Sequence, residues 1–378
     1  MTKRVAFIQN RLQFGGRFQV VVHMIKVLNA LNITPDFLCF ASRFTVADAQ
    51  KRYGSDLNFN IKTIGINYKV PFEWNILLFN KVVSKHVSAY DLVINHNNTS
   101  FFYTTNVATL SYVHFPRKAR LLASEKSIHF PEGQKKSLFD IGSDALKMAH
   151  FAYHKNSTIL SNDRQVANSI FTKEALLKAY PNFNGDVEVI YPPVEKVVLQ
   201  KFEKKPNLVV SLGRFSPDKR QMEQIEIASK CPELEFVLMG FINSKTYFEQ
   251  CQQRISELKL TNVHLLGDAP KEEVNSILAS ASFFLHNLRN EPFGITAVQG
   301  IQAGCIPLVH NSGGQKEVVP DSDLRYDTIP EAVQKLGNLT KLSDQERASM
   351  RQKLENNCTQ FEATTFETKF KQLLEPYL

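Results

Sequence analysis

Cysteine is scarce in this 378-residue chain. The five present, Cys39, Cys231, Cys251, Cys305 and Cys358, are scattered, and no Cys-x-x-Cys pair occurs. That excludes a disulfide scaffold and argues against metal ligation, so the thiols read as reduced core residues of a cytoplasmic protein. Long apolar runs are missing too. None approaches the roughly 18 residues of a membrane-spanning helix, and even "QVVVHMIKVL" is broken by His23 and Lys26. The opening "MTKRVAFIQN" enters an apolar β-like run without the apolar core or cleavage signal of a secretion signal. There is no low-complexity tract and no evident internal repeat; 43% hydrophobic and 22% charged residues are the composition of a soluble globular protein. Finally, no Gly-x-Gly-x-x-Gly follows the first strand-like run, which excludes a nicotinamide-dinucleotide oxidoreductase.

At this length two domains of roughly 170–200 residues each are expected. The formal net charge of +8 belongs to the first half: residues 1–190 carry 23 Lys and Arg against 13 Asp and Glu, whereas residues 191–378 carry 22 against 24. A basic half is either a well-solvated surface or a face that meets something anionic, such as a membrane surface, a phosphorylated lipid or a nucleic acid.

Along the first half, short β-like runs alternate with helical patterns: "RVAFIQN", "DFLCFAS", "NFNIKTIG", "DLVINHNN", "TLSYVHFP", "STILSND" and "VEVIYPPV". After the Pro- and Lys-rich connector "YPPVEKVVLQKFEKKP" the alternation starts again, from "NLVVSLGRF" through "LEFVLMGF", "NVHLLGDA" and "SFFLHN" to "CIPLVHN". Strands separated by helices predict parallel sheets. The fold class is therefore α/β, with two Rossmann-like domains and a cleft between them. Such sheets bind ligands at the carboxyl ends of their strands, so the loops there are the places to search.

In "SLGRFSPDKR", Gly213 permits a tight turn, and Arg214 and Lys219 stand on one short loop closed by Pro217. A planar guanidinium fork and a compact ammonium suit a pyrophosphate, although ordinary surface charges would look the same. In "RNEPFGITAVQG", Gly294 opens a helix and leaves the amides of Phe293, Gly294, Ile295 and Thr296 without internal partners. Such a terminus binds anionic or hydroxyl-rich ligands. Glu291 just before it is either an acceptor for sugar hydroxyls or an acid favoured near a helix N-terminus. The pairs Gly15–Gly16 in "QFGG" and Gly313–Gly314 in "HNSGG" read as turns; at Gly15–Gly16 a diphosphate could also approach the backbone closely. In "SYVHFPRKAR", His114 lies at a strand end beside Arg117, Lys118 and Arg120, and is either structural or functional.

Together these stretches resemble the retaining GT-B glycosyltransferases of family 4, carried by "FGG" (14–16), "GRFSPDK" (213–219), "EPFGITAVQ" (291–299), "AG" (303–304) and "NSGG" (311–314). Within that family "YVHFP" (112–116), "YPPV" (191–194) and "HNSGG" (310–314) look most like the GDP-mannose-dependent α-1,2-mannosyltransferases that extend lipid-linked oligosaccharides. The resemblance implies a GT-B fold of two facing Rossmann-like domains: an acceptor domain over 1–192, a sugar-nucleotide donor domain over 193–360, and a helix over about 361–378 crossing back to the first. That helix would carry the apolar stripe Phe361, Phe366, Phe370, Leu373 and Leu374.

It also implies roles. Arg214 and Lys219 would hold the donor diphosphate and stabilise the leaving group. Glu291 would accept from a donor-sugar hydroxyl, and the amides of Phe293 to Thr296 would bind sugar and phosphate, with Gly213 and Gly294 shaping the loops. His114 would lie close to the anomeric carbon, and Gly15 and Gly16 would admit the diphosphate. The implied activity is transfer of a hexose, mannose favoured, to a glycan or lipid-linked acceptor, with retention and without a metal or other cofactor. The alternatives are a UDP-sugar-dependent transferase (glucosyl, galactosyl or GlcNAc) of the same fold, or a non-catalytic sugar-nucleotide-binding homologue. Where such enzymes carry a second Glu that contacts the nucleotide ribose, this chain has Gln299. The expected partners are a nucleotide sugar, a polyprenyl-linked or other glycan acceptor and an anionic membrane face, with no nucleic acid. The location implied is cytoplasmic, peripheral on the membrane's cytoplasmic side.

Overall fold

The computed structural model describes residues 3–65, 78, 79, 81–96, 107–125, 158, 159, 161–196 and 203–378. The chain divides into two compact units, Met1–Pro193 with Phe366–Leu378, and Val194–Thr365.

The first unit holds β1 (Val5–Ile8), β2 (Arg11–Leu12), β3 (Asp36–Cys39), β4 (Ala41–Ser42), β5 (Asn60–Thr63), β6 (Leu92–Asn95), β7 (Ala108–Val113), β8 (Asp163–Ala167) and β9 (Val187–Val189). Seven of them form one sheet in the order β5-β3-β1-β6-β7-β8-β9, and β2 and β4 pair separately. Every pairing in the large sheet is parallel. β1, β3 and β6 are buried at every position, as strands covered on both faces must be. Phe7 and Phe37 stack with centroids 4.8 Å apart on neighbouring strands. The helix Gly16–Ala30 buries nine residues, Phe18 and Val20 to Met24 among them.

The C-terminal helix Ala363–Leu374 delivers Phe366, Phe370, Leu373 and Leu374 into this unit's core. His23 Nδ1, buried on the helix Gly16–Ala30, meets Glu367 Oε1 at 2.7 Å. The fifth residue of the expected stripe departs. Phe361 closes a short turn in the second unit and packs edge-on against Phe293, ring centroids 5.1 Å apart. Extended backbone at Glu362 (φ −67, ψ 151) breaks the helical periodicity between Phe361 and Phe366.

A second correction concerns "STILSND". Residues 157 and 160 lie outside the described residues, 158 and 159 are not strand, and β8 begins only at Asp163. Its residues "DRQVA" are polar at the start, which hides a strand paired on both sides by β7 and β9. The loop "NHNNTS" beyond His96 and residues 197–202 of the connector also fall outside the described residues.

The second unit holds β10 (Lys205–Leu212), β11 (Glu235–Gly240), β12 (Val263–Gly267), β13 (Ala281–His286), β14 (Ile306–His310) and β15 (Arg325–Tyr326). They form a parallel sheet in the order β12-β11-β10-β13-β14-β15. Helices Gln221–Ala228, Lys245–Glu257, Lys271–Ser280 and Ile295–Gln302 connect consecutive strands; Ile329–Thr340 and Asp344–Cys358 follow the last. All five cysteines are buried and free. Burial pushes the thiols of Cys39, Cys231, Cys251 and Cys305 up to about 11 and Cys358 up to about 12, so they are poor nucleophiles.

Both sheets share a topological feature that locates ligands. In the first the chain runs outward through β1, β3 and β5, then reverses and adds β6 on the other side of β1. In the second it runs β10, β11, β12, then adds β13 beside β10. Crevices open where strand order reverses, beyond the carboxyl ends of the two central strands.

Candidate active site

At the second unit's reversal point, the loop after β10 carries Gly213 to Arg220 and the loop after β13 carries Asn287 to Gly294. The reversal brings together two residues 72 apart in sequence: Lys219 Nζ donates to Glu291 Oε2 at 3.0 Å. Both side chains are about four-fifths covered, with relative exposures of 24% and 19%. The Lys219 stem passes over Gly213, 3.9 Å from where a Cβ would stand. Arg214 points elsewhere: its Nε donates to Ser216 Oγ at 3.1 Å and its Nη2 to Asp218 Oδ2 at 2.8 Å. Burial works to raise the Asp218 carboxyl, but the Ser216 hydrogen bond and the Arg214 charge outweigh it and hold the group below the usual range. Beside this loop, Arg220 and Arg289 converge on Glu223 at the start of the helix Gln221–Ala228.

The Glu291 loop is held from below by backbone. Gly314 N–H donates to the Glu291 carbonyl at 2.8 Å, and Asn290 N–H to Ser312 Oγ at 2.9 Å. His310 Nδ1 meets the same hydroxyl at 2.8 Å. A Cβ on Gly313 would stand 2.4 Å from the Glu291 oxygen, and one on Gly314 would stand 2.1 Å from the Pro292 oxygen. The pair that reads as a turn in sequence is thus a bed on which the acidic loop lies in backbone-to-backbone contact. Gly314→Ala forces the two loops apart; the expected cost is about 1–3 kcal/mol of stability. Chemical denaturation checks it, and a wild-type denaturation midpoint would show that the close contact is dispensable.

Gly294 caps the helix Ile295–Gln302 in the left-handed region, φ 110 and ψ 50. Ala297 and Val298 donate to its carbonyl, while the N–H groups of Gly294, Ile295 and Thr296 make no hydrogen bond among the described residues. Phe293 is 2% exposed and its ring belongs to the core, so it can offer a ligand only backbone. Gln299 lies one turn into the helix, half-buried. His286 ends β13 underneath, and burial brings it down to about 4, so it is neutral there.

The first unit has a corresponding arrangement at its own reversal point. Gly15 (φ 147, ψ 179), Gly16 and Arg17 open the helix Gly16–Ala30 after β1; nothing lies within 4 Å of a Cβ on Gly15, so backbone conformation alone requires glycine there. His96 follows β6 and His114 follows β7. Their Nε2 atoms are 3.2 Å apart. His96 is fully buried and stacked parallel to Tyr112, interplanar angle 5°, and the Tyr112 hydroxyl donates to the Ile190 carbonyl at 2.8 Å. Burial first, then the Arg17 charge, brings His96 down to about 3; burial, His96 and Arg17 hold His114 well below its ordinary value. Both rings are neutral at physiological pH.

Sequence reading singled out His114 but neither His96 nor Arg17. The available signal was a His directly after each of two β-like runs, "DLVIN" and "TLSYV", which matters only once β6 and β7 are known to be neighbours. Among the described residues no group of three or more His, Cys, Asp and Glu is placed to hold a metal ion, and no helix is long and apolar enough to cross a membrane.

Two parallel sheets with polar loops at their reversal points form the GT-B fold of glycosyltransferases. Residues 196–360, nearly the whole second unit, match the family described as Glycosyl transferases group 1. The chain is 26% identical over 296 residues to the GDP-Man:Man(3)GlcNAc(2)-PP-Dol alpha-1,2-mannosyltransferase of Xenopus laevis; the alignment covers 66% of this chain and 60% of that one. The chain therefore spans less than two thirds of this relative's length. Among solved structures it is similar to Anabaena Alr3699/HepE in complex with UDP-glucose (TM-score 0.69, 15% identity, 99% and 100% covered). It is also similar to WaaG, a glycosyltransferase involved in lipopolysaccharide biosynthesis (TM-score 0.72, 14% identity, 98% and 99% covered). At such identities the structural likeness is one of fold.

Proposed function

We propose that this chain is a retaining glycosyltransferase that moves a hexose, mannose favoured, from a nucleotide-diphosphate sugar to a glycan or lipid-linked acceptor. The observation that carries the reading is the Lys219–Glu291 pair at 3.0 Å beside the open amides of Gly294, Ile295 and Thr296. A cation, an acid and free N–H groups on one small surface match the three chemistries of a sugar diphosphate: phosphate charge, sugar hydroxyls that donate, and oxygens that accept. The name of the Xenopus laevis relative supports GDP-mannose as donor and a diphosphate-linked oligosaccharide as acceptor.

In this reading Lys219 and Arg214 hold the diphosphate and neutralise the charge that develops on it as the glycosidic bond breaks. They do so without a metal ion. Donor binding draws Lys219 away from Glu291, which turns to the sugar hydroxyls, while Gly213 and Gly294 keep the loop backbones in place. The amides of Phe293 to Thr296 bind sugar and phosphate oxygens. The leaving phosphate takes the acceptor proton on the face where the acceptor attacks, so no protein base is needed and the configuration is retained. In the first unit, His114 and Gly15–Gly16 are the candidate ligand contacts at its own reversal point.

A thermal-shift panel of GDP-mannose, UDP-glucose, UDP-GlcNAc and UDP-galactose, followed by transfer to a lipid-phosphate acceptor with and without EDTA, tests the whole reading. Stabilisation by GDP-mannose and an EDTA-insensitive α-linked product are expected. No shift with any donor sinks it, and a β-linked or EDTA-abolished product sinks retention or metal independence.

Gln299 favours a second reading, a sugar-nucleotide binder without turnover. An amide can accept from a ribose hydroxyl but lacks the charge-assisted strength of a carboxylate. If Gln299 faces the ribose, Gln299→Glu tightens nucleotide binding by about 1 kcal/mol, or roughly fivefold; titration calorimetry with unchanged affinity would remove Gln299 from the site.

The basic first half fits an acceptor at an anionic membrane face, where each Lys or Arg near the surface contributes about 1 kcal/mol. Co-sedimentation with liposomes should rise with their phosphatidylserine content. Binding that ignores anionic lipid would leave the charge as ordinary surface.

A further inference from the structure

Two residues in the second unit's site loops have left-handed backbone although neither is glycine: Arg220 (φ 60) after β10 and Asn290 (φ 53) after β13. Arg220 N–H donates to the Pro217 carbonyl at 3.2 Å, and the Arg220 carbonyl accepts from Glu223 N–H at 3.0 Å. The residue thus joins the short turn Pro217–Lys219 to the helix Gln221–Ala228. Glycine takes such a conformation without strain. A side chain kept there against the backbone's preference points to a use for it. Arg220 Nη2 donates to Glu223 Oε1. From the other loop, Arg289 Nη2 stands 3.7 Å from the same oxygen.

One carboxylate therefore ties the loop after β10 to the loop after β13. Burial works to raise Glu223, but the Arg220 hydrogen bond and charge, then the charges of Arg289 and His310, outweigh it and hold the group below its usual range. This tie runs in parallel with the Lys219–Glu291 contact at 3.0 Å. Each loop serves both ties with close neighbours: Lys219 and Arg220 are consecutive, and only Asn290 separates Arg289 from Glu291. The two ties respond differently to a sugar diphosphate. Its phosphates attract Lys219 and its hydroxyls donate to Glu291, so the ligand competes with that contact from both sides. Glu223 is three-quarters covered, at 24% exposed, and already faces two guanidinium groups, so an anionic ligand does not displace it.

We propose that Glu223 is a positioning residue: through Arg220 and Arg289 it keeps the two loops at a fixed separation once a donor has opened the Lys219–Glu291 contact. The part of this that concerns turnover rests on the transferase reading; the parallel tie stands without it. Ties in parallel and links in series leave different signatures. Losing one of two parallel ties costs little while the other holds, and losing both releases the loops together. Losing two links of the same tie costs no more than losing one.

Thermal melts of the whole chain without ligand test the tie first. Glu223→Gln keeps the size and removes the charge, and alone it lowers the melting temperature by about 1–2 °C, as does Lys219→Ala. The double variant falls by about 5 °C or more, beyond the sum. A merely additive loss overturns the parallel tie. With saturating acceptor, Glu223→Gln lowers kcat about tenfold with the donor KM within about threefold, because the loops still bind the donor but hold it out of line. Adding Arg289→Ala to Glu223→Gln lowers kcat no further. Arg289→Lys stays within about twofold of wild type, since the 3.7 Å contact needs only a charge. Wild-type kcat in folded Glu223→Gln, or a further fall when Arg289→Ala is added, overturns the positioning role. A chain that shows the excess loss in melting but transfers no sugar keeps the tie and overturns the transferase reading instead.

Discussion

On the proposed transferase reading, Lys219→Ala is expected to lower turnover about a thousandfold, because it would remove a fixed charge from the leaving phosphate at the moment that charge forms. The ground-state diphosphate would keep Arg214 and the amides of the helix Ile295–Gln302, so donor affinity should fall far less than turnover. That split separates a transition-state stabiliser from a general phosphate anchor. The fold should tolerate the change. Lys219 caps no helix and fills no core position, and its side-chain hydrogen bond is to Glu291. Lys219→Arg keeps the charge on a longer, planar head and should recover part of the loss. Single-turnover rates with saturating donor measure the effect. Turnover within tenfold of wild type would show that Lys219 is the structural partner of Glu291 and that the diphosphate is held elsewhere.

Much of the second unit was legible before any coordinates. "NLVVSLGRF", "LEFVLMGF", "SFFLHN" and "CIPLVHN" are mostly apolar runs ending in polar, glycine-containing or histidine-containing loops; β11 and β14 lie within them, while β10 begins two residues and β13 one residue before its run. What could not be read was adjacency. Nothing in the chain says that β13 returns to the far side of β10, and that single topological step puts Glu291 3.0 Å from Lys219. The same ignorance hid His96, which stands in a polar run 18 residues before His114 and gains meaning from the pairing of β6 with β7. Gly313–Gly314 looked like a turn because sequence shows which residues are small, not what approaches them. β8 was placed too early for the opposite reason: Asp163, Arg164 and Gln165 are polar in a strand flanked on both sides, where pattern and burial disagree. The C-terminal helix shows both outcomes. Its stripe was visible from Phe366 onward, and Phe361 shared the composition without sharing the helix.

Glu291→Ala should abolish measurable transfer while the chain stays folded. The carboxylate lies before a helix N-terminus, where negative charge is favoured whether or not a ligand is present. The two explanations for its presence predict different variants. As a mere helix-terminus acid it would contribute about 0.3–1 kcal/mol to stability and nothing to turnover. As the acceptor for two sugar hydroxyls it makes charge-assisted bonds of about 1.5–3 kcal/mol each, and their loss lowers kcat/KM about 10²- to 10⁴-fold. Glu291→Gln divides the effect further, because the amide still accepts one hydroxyl but loses the charge; an intermediate loss is expected. The loop itself should survive both changes, since Gly314 holds Glu291 through its main-chain carbonyl, which no side-chain substitution removes. The effects of Glu291→Ala and Lys219→Ala should not add, because the two side chains touch and each variant alters the other's freedom to turn to the donor. Wild-type kcat/KM in Glu291→Ala with a lowered melting point would return this acid to its plainer role and remove the donor sugar from this loop.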